Sequence, residues 1–253
     1  MKIELLPSSV PVSDVQYLTT YLINDEIAID CGSLGLLADL ERQKRVKHIF
    51  ITHEHIDHIA TLPLVLSNSF EPGVDCVEVL AMPDVLQFLR NDIFNGRVWP
   101  DFFNPTLTHE PMVRVTPLEL FKPIRRCNVT ITPVPVSHGV PSIGFIVEDA
   151  ASAVVFPSDT GPTEAIWSHA AKTNNLKAVF LEASFPEKLI DLALVCGHLC
   201  PSTFAIETRK ITTPVRWMVV HRKPSDSDQV AKELESLGIA GIEMVRCGVP
   251  YWF

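Results

Sequence analysis

The stretch VKHIFITHEHIDHIATLPLVL (residues 46–66) changes character twice. Its opening, VKHIF, is the short apolar run of a buried strand, and DHIATLPLVL carries the apolar stripe of a helix. Between them, ITHEHIDHIA (51–60) gathers three of the chain's nine histidines and two acids. Side chains at i and i+2 of an extended segment share one side, so His53 and His55 can reach one cation together. The turn into the helix aims Asp57 and His58 elsewhere, where they can hold a second. Neutral imidazole with carboxylate is a donor set that zinc accepts, and Mn²⁺ or Fe²⁺ can use it too.

A two-ion site needs further donors from elsewhere in the chain. Three stand at strand ends: His138 in PVSHG, Asp159 in FPSDTGP and His221 in VVHRKP. Each alone reads first as a satisfied loop side chain. Their common placement, the same as that of His53, makes them a set. Asp159 suits a bridge, because its two oxygens can each take one ion.

Composition bounds the rest. The 253 residues are 47% hydrophobic and carry a formal charge of −9. An acid excess argues against a partner gripped along a duplex or a transfer RNA, which calls for many Lys and Arg contacts. A small anionic substrate stays compatible, because metal ions would supply local positive charge. No apolar run reaches the length of a membrane span, and MKIELLPSSV lacks a secretory core, so no membrane partner and a cytoplasmic location are expected. The six cysteines are too spread for a disulfide framework. Cys76, Cys127 and Cys247 read as core residues, and Cys31, Cys196 and Cys200 as neighbours of the motifs without ligand roles.

Strands are expected at KIELL, YLTTYLI, EIAID, HIFIT and VEVLA, with a helix from about Asp57 and another at PDVLQFLR. Residues 91–126 read as an irregular insert, with four Phe, one Trp and five Pro. Strands resume at NVTITPVPV, IGFIVED, AVVFP, KAVFLEA, RWMVV and IEMVR, with helices at 163–174, 201–211 and 227–237. Two series of strands, each mixed with helices, fit two sheets covered by helices.

The series H-x-H-x-D-H, then His, Asp and His, is similar to the metallo-β-lactamase superfamily. The resemblance implies an α/β fold, an αββα sandwich of two mixed sheets with helices on both outer faces, as a single domain over 1–253. It implies His53, His55 and His138 on one metal, Asp57, His58 and His221 on the other, and Asp159 bridging. AIDCGSLG (28–35) resembles an early motif of the family, which makes Asp30 a support for the ligand loop.

Within the superfamily, HEHIDHIATLPLVLSNS (53–69), IFNGRVWP (93–100), FLEASFP (180–186) and CGHLCP (196–201) resemble class II cyclic-nucleotide phosphodiesterases. Thr61 and Ala183 depart from that pattern without touching a metal donor. The resemblance implies hydrolysis of 3′,5′-cyclic AMP or GMP to the 5′-nucleotide, with two divalent ions, zinc first, activating a water for attack on phosphorus. Opening the cyclic phosphate expels a ribose oxygen that must gain a proton. His198, oriented by Glu182, could donate it or hold a phosphoryl oxygen; Asp57, His198 and Glu182 are the candidate catalytic residues. Trp99 and Phe102 could stack on the base, although packing of a long loop accounts for them equally. His48, His109 and His169 match no motif position. An RNase Z-like RNA phosphodiesterase and a lactonase-type hydrolase of carboxylic or thioester bonds are the alternatives, a vestigial binding module a more distant one. A homodimer is compatible with the sequence.

Overall fold

The computed structural model describes residues 1–8, 15–72, 74–104 and 111–253. His109 lies outside them. Two compact units emerge from the contacts: one takes in Lys2–Ser8 and Leu18–Glu119, the other Met1, residues 15–17 and Leu120–Phe253. The chain forms two mixed sheets of seven strands each.

In the first unit β1 (Lys2–Leu5), β2 (Tyr21–Ile23), β3 (Ile27–Ile29), β4 (His48–Phe50), β5 (Glu78–Ala81) and β6 (Arg114–Pro117) neighbour one another in chain order. β1 to β3 are antiparallel, and β3 to β6 run parallel. Parallel pairing of Ile29 with Phe50 sends both chains out at the same sheet edge, which places Asp30 beside Thr52 and His53. The strands are nearly all apolar, as suits a sheet buried on both faces. The helices here are α1 (Leu40–Arg45), α2 (Ile56–Ile59), α3 (Leu62–Ser69) and α4 (Pro83–Phe88), of which α2, α3 and α4 bring Ile59, Leu62, Val65, Leu66 and Val85 into the core. The single helix expected from about Asp57 is broken at Ala60–Thr61. The Thr61 hydroxyl donates to the Cys31 carbonyl at 2.9 Å and accepts from Gly35 N at 2.9 Å, so the break is bonded to the loop after β3.

The second sheet, in the other unit, has the order β13-β12-β11-β10-β9-β8-β7. Its strands are β7 (Ile124–Arg126), β8 (Val129–Val136), β9 (Ser142–Glu148), β10 (Ala153–Ser158), β11 (Leu176–Glu182), β12 (Arg216–Val220) and β13 (Ile242–Met244). β10 to β13 are parallel, and β9 is antiparallel to both β8 and β10. Strands β8, β10, β11 and β12 therefore all point the same way, and their carboxyl ends share one edge. That edge is where ligands gather in sheets of this kind. Helices α5 (Ala165–Ala170), α7 (Pro201–Thr208) and α8 (Ser227–Ser236) pack through Ile166, Trp167, Phe204, Val230 and Leu234 onto the Val155, Val179 and Val219 face. α6 (Ile190–Cys196) and the last strand, β14 (Pro250–Trp252), were not anticipated from the sequence.

Three sequence readings are corrected. The insert at 91–126 is not wholly irregular: β6 and β7 lie inside it, and β6 extends the first sheet. Arg114–Pro117 is largely exposed, so it lacks the apolar run that marks a core strand. Cys127 is exposed in a left-handed turn (φ 49°), not core, and Cys76 is half-buried. Among the described residues no single helix is long and apolar enough to cross a membrane.

Candidate metal centre

Asp30 organises the first unit's donors. It ends β3 in the left-handed region (φ 60°), where a short polar side chain is tolerated best, and it is fully buried. Its Oδ1 accepts from Thr52 N at 2.9 Å, and the Thr52 hydroxyl donates to the same carboxylate at 3.0 Å. Having spent its one proton there, that hydroxyl accepts at 2.9 Å from Nδ1–H of His53. Asp30 Oδ2 accepts from Nδ1–H of His58 at 2.6 Å. Burial pushes the Asp30 carboxyl up from its ordinary value, against the lowering pull of His58 and Thr52. Both imidazoles are thus fixed in the tautomer that leaves the Nε2 lone pair open. The Nε2 atoms of His53 and His58 are buried and make no hydrogen bond among the described residues. A buried imidazole Nε2 presented in this way is a donor atom suited to a cation.

The backbone of this loop is clamped as well. Thr19 N donates to the Asp57 carbonyl at 2.8 Å and Cys31 N to the His58 carbonyl at 2.7 Å. Gly32 makes room for that clamp, since a Cβ there would fall 1.9 Å from the Asp57 carbonyl oxygen. The rings end up close, with His53 4.7 Å from His55 and 4.2 Å from His58 between centroids. Asp57 Oδ2 lies 3.6 Å from His58 Nε2.

In the second unit the donors come from separate strand ends. His138 follows β8 and gives its Nδ1–H to the Gly197 carbonyl at 2.8 Å, again leaving Nε2 with the lone pair. Burial holds its pKa below the ordinary histidine value, with the Gly197 carbonyl and Asp159 pulling the other way. The neutral form is the one a cation takes. Gly197, in the left-handed region (φ 70°), has to be glycine, because a Cβ would meet His138 Cα at 2.8 Å. Asp159 is buried after a left-handed Ser158 (φ 61°), and His221 is itself left-handed (φ 50°) after β12. Such backbone costs on the order of 1–3 kcal/mol per residue and collects at functional sites. Asp159 Oδ2 and His221 Nε2 stand 3.2 Å apart, and Gln16 accepts from His221 N at 2.8 Å.

Beside them lies a buried acid–imidazole pair. Glu182, the last residue of β11, is fully buried and accepts five hydrogen bonds: from Thr160 N, Ser184 N, Leu199 N, the Ser184 hydroxyl and His198 Nδ1. The His198 contact is 2.7 Å. Burial alone would lower His198, but the Glu182 carboxylate outweighs it, and the net shift is upward. The His198 ring lies 4.9 Å from that of His138 and stacks at 5.8 Å on that of His221.

The structure therefore brings His53, His55, Asp57 and His58 together around Asp30, and His138, Asp159 and His221 together with Glu182 and His198. Ser184, Thr52 and Gln16 escaped the sequence reading. Ser184 stands at i+2 from Glu182, the spacing that already paired His53 with His55, and could have been found by it. Phe102 is only 5% exposed and packs at 5.5 Å on Phe94 in the first unit's core, which favours its packing reading over base stacking. Trp99 packs on the same core but is only partly buried. His48 pairs with Glu78 at 2.8 Å and His169 stacks on Phe121, in keeping with structural roles.

Residues 27–221 match the family described as the Beta-lactamase superfamily domain. The chain belongs to the metallo-β-lactamase superfamily. A 3′,5′-cyclic-nucleotide phosphodiesterase of Aliivibrio fischeri is 29% identical over 62% of this chain and 51% of its own length. The ribonuclease Z of Enterococcus faecalis is 30% identical over 48% of this chain and 38% of its own. This chain thus spans about half the length of the first relative and less of the second. Among solved structures, unliganded yeast PDE1 superposes with a TM-score of 0.80 at 17% identity, covering 98% of each chain. That likeness establishes the superfamily's fold for this chain, as the histidine–acid series implied. The superfamily membership implies divalent-metal binding, and the clustered histidines and aspartates are residues that could hold such ions.

Proposed function

We propose that this chain is a metal-dependent phosphodiesterase that opens 3′,5′-cyclic nucleotides, with all of 1–253 working as one functional domain. The observation that carries the reading is the buried Glu182 holding His198 through Nδ1. A carboxylic or thioester hydrolase does not need such a pair, because its leaving group and geometry differ. A ribose oxygen leaving phosphorus does need a proton, and general acids of this kind contribute about 10²–10⁴-fold.

In this reading His53, His55, His138 and Asp159 hold one divalent ion, and Asp57, His58, Asp159 and His221 hold a second, both donor sets being suited to a cation. Zinc fits the nitrogen-rich set best, and manganese or iron(II) can also use it. When bound, such a pair polarises phosphoryl oxygens and brings the pKa of a water toward neutrality. The chain's own residues do the rest. Asp57 and Asp159 supply the negative charge that retains the cations. Asp30 and Thr52 keep His58 and His53 presenting Nε2. His198, with Nδ1 committed to Glu182, presents Nε2–H to the departing 3′ oxygen. The substrate is a small cyclic nucleotide, in line with the net charge of −9.

The names of the relatives support phosphodiester chemistry and divide on its substrate. A zinc-loaded sample offered 3′,5′-cyclic AMP, 3′,5′-cyclic GMP, 2′,3′-cyclic nucleotides and a transfer RNA precursor separates them. Release of 5′-nucleotide from the 3′,5′-cyclic substrates is the expected result. Cleavage of the RNA alone would replace this reading with the ribonuclease one.

A further inference from the structure

Ser184 is fully buried two residues beyond Glu182. Its hydroxyl oxygen lies 2.6 Å from Glu182 Oε2, 2.9 Å from the His221 carbonyl and 3.3 Å from His198 Nδ1. A serine hydroxyl offers one proton and two lone pairs. The carboxylate and the carbonyl can only accept, so the proton goes to one or the other of them, and the His198 N–H is the group that can donate to Ser184. The hydroxyl thus joins three elements: the end of β11, the loop carrying His198 and the left-handed turn after β12. The backbone reinforces the junction, with Ser184 N donating to Glu182 at 3.2 Å and Lys223 N donating to the Ser184 carbonyl at 3.2 Å.

Without Ser184, the ring of His198 would still have Glu182 at Nδ1. The carboxylate itself would then lose a side-chain donor at Oε2, the oxygen opposite the one His198 uses. Because the hydroxyl has one proton, the His221 carbonyl at 2.9 Å would lose only a donor that the charged Glu182 carboxylate, at 2.6 Å, takes in preference. We propose that Ser184 is a positioning residue: its hydroxyl sets the rotation of the Glu182 carboxylate, and through it the direction in which His198 presents Nε2 to a leaving oxygen. The proposal rests on the phosphodiesterase reading for its consequence in turnover. Its structural half stands independently.

The test uses the zinc-loaded chain of residues 1–253 with Ser184→Ala, Ser184→Thr and Ser184→Cys. Two substrates are compared: 3′,5′-cyclic AMP, whose ribose oxygen leaves as a strong base, and bis(p-nitrophenyl) phosphate, whose phenolate leaves without needing a proton. Ser184→Ala is expected to lower kcat on cyclic AMP on the order of 10–100-fold, within what a mispositioned general acid forfeits. KM should hold, and the rate on bis(p-nitrophenyl) phosphate should stay within about threefold, with zinc content unchanged. Ser184→Thr, which keeps the hydroxyl, should recover most of the loss. An independent readout is the low-field proton resonance of the His198 imidazole N–H, identified by its disappearance in His198→Ala. It should shift or broaden in Ser184→Ala and return in Ser184→Thr. Should Ser184→Ala not fold, Ser184→Cys carries the same comparison with a weaker donor of similar size. Equal losses on both substrates, no loss on either, or an unmoved His198 resonance would overturn the proposal. If the unaltered chain turns over neither substrate, the phosphodiesterase reading fails, while the resonance still decides whether Ser184 positions His198.

Discussion

The two units build their donor clusters by opposite routes and with the same device. In the first, the donors lie within six consecutive residues, His53 to His58, and one loop delivers them. In the second, His138, Asp159, Glu182 and His221 stand at four strand ends, and parallel strand direction delivers them to one edge. Each cluster is organised by a buried carboxylate that accepts backbone N–H groups and an imidazole Nδ1–H: Asp30 in one, Glu182 in the other. What differs is the imidazole being held. Asp30 fixes His58, a proposed ligand, whereas Glu182 fixes His198, which stands outside the proposed ligand sets. On the proposed function, one carboxylate would sharpen a Lewis base and the other would poise an acid.

The largest expected effect tests whether the second cluster binds metal as the first is expected to. Asp159→Ala removes the carboxylate proposed for both ions, and turnover should fall on the order of 10³-fold or more. Elemental analysis should show the loss of bound metal. His198→Ala should keep full metal content and still lose about 10²–10⁴-fold in kcat. If His198→Ala sheds metal as Asp159→Ala does, the division of labour between ligand and acid is wrong.

The carboxylate comparison can be broken directly. Asp30→Asn weakens the hold on His58, and metal affinity should drop by about 10–100-fold, as for other residues that support ligands. Competition with a chromophoric chelator measures it. Glu182→Gln should leave that affinity within a few-fold and lower kcat instead, because no proposed ligand donates to it. Equal effects of the two variants on metal affinity would make both carboxylates supports of the same kind.

This contrast also explains what the sequence disclosed. The cluster at 53–58 was legible because side-chain periodicity acts over two or three residues, so local spacing alone groups its donors. His138, Asp159 and His221 could be picked out as strand-end residues, but nothing local to any of them says that β8, β10 and β12 run the same way. That comes from β9 being antiparallel to both β8 and β10 and from β10, β11 and β12 pairing in parallel, properties of pairing between distant segments. Ser184 was legible only in part: its i+2 spacing from Glu182 is local, but its partners on His198 and His221 are 14 and 37 residues away. Strand β6 was missed because RVTP is exposed and ends in proline, so only its pairing with β5 identifies it. Phe102 could not be assigned between stacking and packing, because an aromatic in a proline-rich stretch looks the same whether it faces solvent or the core.

Two glycines offer a smaller test, one in each unit. At Gly32 a methyl would sit 1.9 Å from the Asp57 carbonyl oxygen, a backbone atom that cannot move without opening the clamp on α2. At Gly197 it would sit 2.8 Å from His138 Cα, and the left-handed backbone adds roughly 1–2 kcal/mol for any residue with a Cβ. Gly32→Ala should cost about 3 kcal/mol or more, the range reserved for overpacked sites, and Gly197→Ala about 2 kcal/mol. Urea unfolding of both variants ranks them. The reverse order would mean that the contiguous loop yields more easily than the strand-end cluster.

The smallest effect concerns Trp99. Its indole N–H is buried and makes no hydrogen bond among the described residues, while the ring packs on the first unit's core. A buried donor left without an acceptor forfeits about 1–3 kcal/mol. Trp99→Phe removes that donor and keeps most of the apolar surface, so the lost packing and the relieved N–H should nearly cancel. Stability should change by no more than about 1 kcal/mol, and KM for a cyclic nucleotide should stay within twofold if the ring serves only the core. A severalfold rise in KM at unchanged stability would instead give the indole a place against the base. That outcome would separate Trp99 from Phe102, whose burial already favours packing, and would give the contiguous unit a share in substrate recognition as well as in metal binding.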